Sequence, residues 1–327
     1  MNALPDAART ILEAAARASL RAPSVFNTQP WTWRISGAAM TLEVDPERRL
    51  PATDPEGRLL LISCGTALHH ARVALAAAGW DAEVRLVPDE GRPDVLARVR
   101  LGDARPPDQQ SVMMAGAIPR RHTDRRAFGD RPVSEEQLTA LRRAVEAEGA
   151  YLHVVPHDDV PMLALSTEQA AEAEALDPAY RSELTRWTTR PAWTGDGVPP
   201  STAVEAALRR VPVREFAPHG SDVLPVGEGL DEGAEYVVIY GNGDQPTDLL
   251  RGGEALSAVL LLATAYGLST APLSEAVEAA WPRHLLRSLL SGIGEPYIAV
   301  RLGYVPGGVP LPATPRRAPT EAIVFDD

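Results

Sequence analysis

Apolar residues in the first half of the chain follow a helical rhythm in two segments and alternate with polar residues in four others. The helical segments are residues 6–20 and 59–79, the second of which is long, apolar and ended by Gly79. The strand-like segments are 31–36, 40–44, 82–87 and 95–101. We expect the first two strands to form a hairpin across Gly37 and residues 102–119 to be a connector.

The second half has a similar mixture of helices and strands. Its predicted helices are 134–148, 160–187, 248–266 and 285–290, and its predicted strands are 151–155, 236–240 and 297–302. The first of these helices opens with Ser134 and Gln137, which have the spacing of a capping box. Residues 188–233 are rich in glycine and proline and show little periodicity. We therefore expect a lid insertion around 157–233.

Two long apolar helices resemble each other along the sequence. One covers 65–79 and the other 253–267, and each begins and ends at a glycine before an extended segment. Each is also preceded by a shorter helix and a strand. The pattern predicts two similar α+β halves, residues 1–118 and 119–327, fused as an internal dimer with a pseudo-two-fold axis. Chance similarity between two apolar helices is the alternative.

Composition narrows the functional classes. The chain has 327 residues and a net charge of −12, which argues against nucleic-acid binding because phosphate contacts need a basic surface. All 32 basic residues are arginines, so an anion site must use guanidinium groups, and lysine Schiff-base chemistry is excluded. We find neither a signal peptide nor an apolar run of roughly 20 residues. The single cysteine, Cys64, fits a reducing compartment and a core position, so we expect a cytoplasmic protein.

Three further features carry less chemistry. The adjacent pair His69 and His70 would point about 100° apart on a helix, so we expect no metal site there. The Gly-Asn-Gly at 241–243 lacks the third glycine of a dinucleotide motif and is typical of a turn after a strand. Trp187 and Trp193 border the irregular region and suit either a lid over a cofactor or ordinary packing.

A polar connector joins the first helix to the first strand. Residues 22–31 contain two prolines that restrict the backbone around a run of hydrogen-bonding side chains: Ser24, Asn27, Thr28 and Gln29. The stretch therefore presents polar groups at a fixed place. An ordinary loop that ends a helix is the alternative.

An arginine cluster opens the second half. Arg121, Thr123 and Arg125 are two residues apart, which in an extended segment places all three on one face. Two guanidiniums beside a hydroxyl can hold a phosphate through charge-assisted hydrogen bonds. Arg316 and Arg317 form a second pair in the proline-rich tail. We expect both clusters to converge on one anion, with solvated charged segments as the alternative.

These motifs resemble those of a known family. Residues 23–31, Pro-Ser-Val-Phe-Asn-Thr-Gln-Pro-Trp, resemble the Pro-Ser-x-x-Asn-x-Gln-Pro-Trp signature of the FMN-dependent nitroreductase superfamily. Residues 121–125, Arg-His-Thr-Asp-Arg, are similar to its Arg-x-Ser/Thr-x-Arg/Lys phosphate motif. The order of the motifs is that of the fused, Acg-like subgroup. The resemblance implies an α+β, nitroreductase-like fold with two similar halves, each an antiparallel or mixed sheet flanked by helices, in a monomeric pseudo-dimer.

The resemblance also implies roles for individual residues. The phosphate ligands would be Arg121, Thr123, Arg316 and Arg317. Arg125 matches the basic residue near flavin N1 and O2, where negative charge collects on reduction. The residues contributed by the proline motif would be Pro23, Ser24, Asn27 and Gln29. The turn that places a backbone N–H at flavin N5 would be formed by Pro272, Leu273 and Ser274. No side chain is assigned as catalytic, because the flavin carries the redox chemistry.

The same resemblance implies one FMN per chain. The second half has Glu-Gly-Ala-Tyr at 148–151 where a second proline motif should stand, and the first half lacks an arginine motif. The implied function is that of an oxidoreductase that moves hydride from NAD(P)H through flavin N5 to a nitro compound, quinone or similar small acceptor. The alternative is a flavin-sequestering protein whose lid keeps nicotinamide out. A dehydrogenase that uses oxygen to oxidise a biosynthetic intermediate is a weaker third.

Overall fold

The structure is a computed structural model, and it describes residues 3–89, 91–205, 207–216, 224–307 and 310–326. Within the lid segment predicted at 157–233, positions 206 and 217–223 lie outside the described residues. The elements that surround this segment closely follow the apolar pattern of the sequence.

The first half forms helices and strands in the predicted order. They are α1 (Ala3–Ser19), β1 (Trp31–Ser36), β2 (Ala39–Val44), α2 (Arg58–Ala77), β3 (Trp80–Leu86) and β4 (Val95–Ala104). The predicted hairpin is confirmed, and Gly37 in its turn has a φ of 56°, a value that glycine adopts without strain. The connector predicted over 102–119 is wrong in part, because it contains α3 (Gln109–Ala117). Asp108 starts this short helix by accepting a hydrogen bond from the Ser111 N–H.

The second half contains the remaining elements. They are α4 (Glu135–Ala147), β5 (Tyr151–Val154), α5 (Val160–Leu176), α6 (Pro178–Thr188), β6 (Glu235–Gly241), α7 (Pro246–Ala265), β7 (Ser269–Leu273), α8 (Glu275–Glu278), α9 (Ala280–Leu289), β8 (Glu295–Gly303), α10 (Pro319–Ala322) and β9 (Ile323–Phe325). Both hydrogen bonds of the predicted capping box are present between Ser134 and Gln137. The helix predicted over 160–187 is two helices, because Asp177 ends α5 and caps α6 through the Ala179 N–H.

The two halves share one strand topology. The first sheet has the order β3-β4-β2-β1-β9, and the second has the order β7-β8-β6-β5. All corresponding neighbours are antiparallel, and in each half a long helix separates the second strand from the third. The predicted α+β fold with two similar halves is therefore confirmed. The exception is β9, through which the tail returns to the first sheet. This strand pairs parallel with β1, so the first sheet is mixed.

The halves meet along α2 and α7. Both helices have 20 residues, and their bounds differ by 188 positions at each end. Among the helices that the structure describes, only α2 has the length and apolar composition of a membrane span, and most of it is buried inside the protein. Its apolar residues therefore belong to the core between the sheets. The lid segment is inserted between β5 and β6, where the first half has only the tight turn at Gly37.

Candidate functional site

A pocket lies where the two halves meet, and both contribute to its walls. Its empty volume, including the open mouth, is about 760 Å³. One helix face of α2 forms part of the wall with Leu59, Ile62, Ser63 and Thr66. Seven of the predicted site residues also line it, so segments distant in sequence meet here: Pro23, Ser24, Thr123, Arg125, Pro272, Leu273 and Ser274.

Two hydrogen bonds join the start of the polar connector to α2. The Thr66 hydroxyl donates to the Pro23 carbonyl oxygen at 2.7 Å. The Val25 N–H donates to the Ser63 hydroxyl at 3.2 Å. Because Ser63 and Thr66 lie on the pocket face of α2, these bonds fix the connector at the pocket rim.

The middle of the connector has an unusual backbone. Phe26, Asn27 and Gln29 have φ values of 48°, 53° and 50°, in the left-handed region that side chains disfavour. The Gln29 N–H donates to the Ser24 hydroxyl at 2.9 Å, which closes the loop on itself. Such strain persists only where surrounding contacts hold it, and here it turns side chains toward the lid segment and the tail.

Asn27 does not line the pocket but joins three segments at its edge. Its amide nitrogen donates to the carbonyl oxygens of Gly197, in the lid segment, and Pro315, in the tail, at 3.0 and 3.1 Å. Its amide oxygen accepts from Arg316 Nη1 at 3.0 Å. The side chain therefore positions both the lid segment and Arg316.

Gln29 and Arg317 lock the tail in a similar way. The Gln29 amide donates to the Gly195 carbonyl oxygen at 2.9 Å and accepts from the Arg317 N–H at 3.0 Å. The Arg317 guanidinium donates to the carbonyl oxygens of Gln29 and Trp31 and pairs with Asp45 at 3.1 Å. These contacts occupy both terminal nitrogens of Arg317, whereas its Nε is buried without a hydrogen-bond partner among the described residues.

Arg121 and Arg316 are cations for which the described residues provide no anionic partner. Arg121 is only 5% exposed, and its Nε and Nη1 atoms have no hydrogen-bond partner in the described ranges. Burial lowers the pKa of the Arg121 guanidinium to about 10. Burial and the positive charge of Arg121 lower the pKa of Arg316 to about 9, and Arg316 Nε is also buried without a partner. Since buried charges are normally paired, these two guanidiniums are candidates for binding an anion.

The segment that follows Arg121 leaves the turn after α3, in which the Arg121 N–H donates to the Ala117 carbonyl oxygen, and is extended at Thr123. Thr123 forms an isolated bridge with Thr270 of β7. Asp124 and Arg126 point away from Arg121 and Thr123 and pair with each other at 2.8 Å. Because side chains alternate along an extended segment, Arg121, Thr123 and Arg125 lie on one side of it, and Asp124 and Arg126 lie on the other.

Arg125 lies in the pocket wall and is held from the lid segment. Its Nη1 donates to the Thr202 carbonyl oxygen at 2.9 Å, and its guanidinium lies 4.4 Å from the centroid of the Phe216 ring. Burial lowers the pKa of Arg125 to about 10. This cation therefore adds positive potential to the pocket without losing its charge.

Sequence reasoning missed the residues by which the lid segment closes on the pocket. Phe26 packs edge-on against Phe216, with 5.9 Å between ring centroids. Arg214 lies 5.2 Å from the Phe26 ring centroid and pairs with Glu278 at 2.7 Å and Glu174 at 3.1 Å. Trp187 packs in the same apolar cluster, whereas Trp193 is exposed. The only sequence signal for these contacts is the length of the irregular stretch.

A buried ion-pair network occupies the equivalent place in the other half. The bounds of α2 and α7 differ by 188 residues, so Glu254 holds the position in the second half that Thr66 holds in the first. Arg72 Nη1 pairs with Glu254 at 2.6 Å and also with Glu148, the residue at the start of the missing second motif. The pseudo-symmetric counterpart of the pocket rim is thus filled by protein charges.

The remaining features are the single cysteine and the potential metal ligands. Cys64 is fully buried, and burial raises the pKa of its thiol, so it is a core residue. Across the described part of the chain, no group of three or more His, Cys, Asp and Glu side chains is arranged to hold a metal ion.

Comparison with known proteins identifies relatives over nearly the whole chain. The Mycobacterium tuberculosis H37Rv protein named "Putative NAD(P)H nitroreductase Rv3131" is 39% identical over 99% of this chain and 93% of its own length. "Putative NAD(P)H nitroreductase acg" of the same strain is 35% identical over 96% of both chains. No family model matches.

Among solved structures, the FMN-dependent nitroreductase NfnB from Mycobacterium smegmatis in complex with NADPH matches 66% of this chain and 99% of its own. Its sequence identity is 16% and its TM-score is 0.42. A nitroreductase with bound FMN from Desulfitobacterium hafniense DCB-2 is 13% identical, with a TM-score of 0.40 over 66% of this chain and 98% of its own. From its 35–39% identity with full-length relatives, the chain belongs to the NAD(P)H nitroreductase family that includes Acg of Mycobacterium tuberculosis.

Proposed function

We propose that this protein is an FMN-dependent oxidoreductase of the nitroreductase type. When bound, the flavin would supply hydride transfer at N5, from NAD(P)H to a nitro compound, quinone or similar small acceptor. The observation that carries the proposal is Arg121, a buried guanidinium with unpartnered donors, two residues before Thr123 in the wall of a pocket made by both halves. A cofactor with an anionic tail and a large ring fits such a site.

The side chains present fit FMN at both ends. Arg121 and Arg316, with Thr123 between them and the pocket, would hold the phosphate. Apolar side chains of both halves would pack on the ring system: Leu59, Ile62, Leu256 and Ile298. Arg125 would lie near the part of the ring that gains negative charge, and the Pro272–Ser274 turn would contribute backbone groups. Asn27, Gln29 and Arg317 would serve by positioning the connector and the tail.

The chain would bind one FMN and act as a monomer in the cytoplasm. Each half supplies groups to a single pocket, so the division at 118/119 would mark the former subunit boundary. At the equivalent place in the other half, the Glu254 carboxylate and its partners Arg72 and Glu148 would put a charged network where a second flavin would lie. Two FMN per chain, or an obligate dimer, would contradict this part of the proposal.

One observation favours the sequestering alternative. Arg214 and Phe216 of the lid segment line the pocket, and Trp187 packs in the same apolar cluster as Phe216, so the segment would narrow access to a bound flavin. Nicotinamide must reach the ring for the reductase to work, so the two functions differ in one measurable step. A storage role requires only that the cofactor be held.

The test is to mix the purified yellow protein anaerobically with NADPH or NADH and follow flavin absorbance. We expect rapid bleaching, followed by recovery of absorbance on addition of a quinone or nitroaromatic compound. Free FMN at equal concentration, under the same conditions, is the control for reduction outside the protein. If bound flavin stays oxidised at millimolar nicotinamide, the reductase proposal fails and sequestration takes its place.

A further inference from the structure

His70 is a buried imidazole with one unused nitrogen. The residue is 0% exposed, and its Nδ1 lies 2.9 Å from both the Thr66 carbonyl oxygen and the Ser257 hydroxyl. Because a carbonyl oxygen only accepts, Nδ1 carries the hydrogen in the neutral ring. Nε2 is buried and finds no hydrogen-bond partner among the residues that the structure describes.

The position of His70 on α2 relates this nitrogen to the anion end of the site. Ser63 and Thr66 line the pocket, and His70 follows Thr66 by four residues, one helical turn further on the same face. Burial lowers the pKa of His70 well below its ordinary value, and the positive charges of Arg121 and Arg316 lower it further. Packing brings both guanidiniums to this part of α2. Val73, one turn beyond His70, packs with Ala117, and the Arg121 N–H donates to the Ala117 carbonyl oxygen at 2.9 Å. Arg316 Nη2 donates to the Arg21 carbonyl oxygen at 3.1 Å, just before the connector that Thr66 holds.

Three basic side chains with unused nitrogens therefore lie in one region of the protein. Arg121 offers Nε and Nη1, Arg316 offers Nε and His70 offers Nε2. Buried like charges repel each other and are normally separated or paired. A dianion between them would remove this repulsion and would favour the protonated imidazole, whose Nε2–H can donate.

The Nδ1 side of the His70 ring has hydrogen-bond partners that can remain in place when Nε2 is protonated. The Ser257 hydroxyl lies 2.8 Å from His69 Nδ1, and His69 Nε2 lies 3.5 Å from a Glu148 oxygen. A consistent arrangement has His69 donating to Glu148, Ser257 donating to His69, and His70 Nδ1–H donating to Ser257 and Thr66. The titratable and charged groups that act on His70 are then Arg121, His69 and Arg316, and its Nδ1 side keeps its partners whether or not Nε2 is protonated.

We propose that His70 is a further ligand of the FMN phosphate, which takes up a proton on Nε2 as the anion binds between Arg121 and Arg316. The inference rests on the proposed FMN function. It adds His70, which lies outside both sequence motifs, as a phosphate contact that forms together with the uptake of a proton. Its consequence is that FMN binding at neutral or alkaline pH consumes a proton, whereas binding of riboflavin, which has no phosphate, does not.

The experiment compares FMN and riboflavin binding to the flavin-free full chain by fluorescence titration. The variants are His70→Leu, which removes the donor, and His70→Gln, which keeps a donor that cannot be protonated. His153→Leu is the matched control, because His153 also has a buried, unpartnered Nε2, but the charges acting on it are Asp159 and Arg142. At pH 8, where the phosphate is already a dianion, proton uptake is measured by calorimetry in buffers of different ionisation enthalpy.

We expect His70→Leu to weaken FMN binding about tenfold to hundredfold with riboflavin binding unchanged, and His153→Leu to leave both unchanged. Wild type should take up about one proton with FMN, and both His70 variants should take up none. Equal FMN affinity in wild type and His70→Leu, an equal loss for both flavins, or no proton uptake by wild type would overturn the inference alone. Failure of wild type to bind FMN would instead overturn the proposed function.

Discussion

Gly65 of α2 and Gly253 of α7 face each other where the two halves come closest, and their contacts are reciprocal. A β-carbon on Gly65 would lie 2.1 Å from the Leu250 carbonyl oxygen, and one on Gly253 would lie 2.1 Å from the Ile62 carbonyl oxygen. Each glycine therefore meets the residue three positions before the other glycine. This is the geometry of a self-complementary, two-fold interface, now contained in one chain.

The first prediction concerns the close approach of α2 and α7 at these two glycines. We expect Gly65→Ala to lower the free energy of unfolding in urea by about 1–3 kcal/mol, because the helices must move apart to admit the methyl group. The matched control is Gly116→Ala in α3, where an added β-carbon meets nothing within 4 Å. The control is expected to gain about 0.5–1 kcal/mol through helix propensity. Equal stability of Gly65→Ala and wild type would mean that the helices do not cross this closely.

The second prediction concerns the anion end of the site. Arg121→Gln is expected to weaken FMN binding about tenfold to hundredfold and to leave riboflavin binding unchanged, because only the phosphate contact is lost. Its flavin-free form should lose no stability, since the buried guanidinium has no anionic partner there. The neighbouring Arg120 is exposed and donates to the Gly116 carbonyl oxygen, so Arg120→Gln is the control. Full FMN affinity in Arg121→Gln would remove the phosphate assignment.

The third prediction concerns Arg125 and the redox potential. If its cation stabilises the negative charge of reduced flavin, Arg125→Gln should shift the two-electron potential about 30–60 mV more negative, or about 1.4–2.8 kcal/mol. The control is Arg126→Gln, because Arg126 faces the opposite side and pairs with Asp124. Potentials would be measured by anaerobic dye titration of the flavin-loaded proteins. The same shift in both variants would point to a general loss of charge.

Local signals account for the parts of the fold that the sequence predicts well. The capping box at Ser134, the hairpin across Gly37 and the apolar helices α2 and α7 each depend on neighbours a few residues apart. Several elements were missed, and among them α3 and β9 show that their signals are short or distant. The helix α3 has only nine residues, and β9 exists only because the tail returns to pair with β1.

The candidate site also divides into residues that local motifs predict and residues whose roles depend on distant contacts. The connector and the arginine cluster could be predicted because each is a compact motif. Arg317 could not be separated from Arg316 by sequence, since what distinguishes it is the set of distant acceptors that it finds at Gln29, Trp31 and Asp45. His70 was equally hidden, because a histidine pair on a helix does not reveal which nitrogen lacks a partner.

The fourth prediction concerns pH and the closure of the lid segment. Burial, and then the negative charge of Glu278, raises the pKa of Glu174 to about 8, although Arg214 opposes this shift. An unfolded chain releases this proton near pH 4.5. Between about pH 4.5 and 8 the folded protein therefore holds a proton that the unfolded chain has lost. Stability must then fall as the pH rises through this window, by at most about 1.4 kcal/mol per pH unit for one proton.

Glu174→Gln tests this linkage because it mimics the protonated side chain at every pH. We expect urea unfolding of the variant to show a flatter decline in stability between pH 5 and 8 than wild type, and a higher stability at pH 8. Glu172→Gln is the control, since Glu172 is exposed on the same helix. Parallel pH profiles for wild type and Glu174→Gln would show that the folded protein does not hold this proton, and that Arg214 keeps Glu174 ionised.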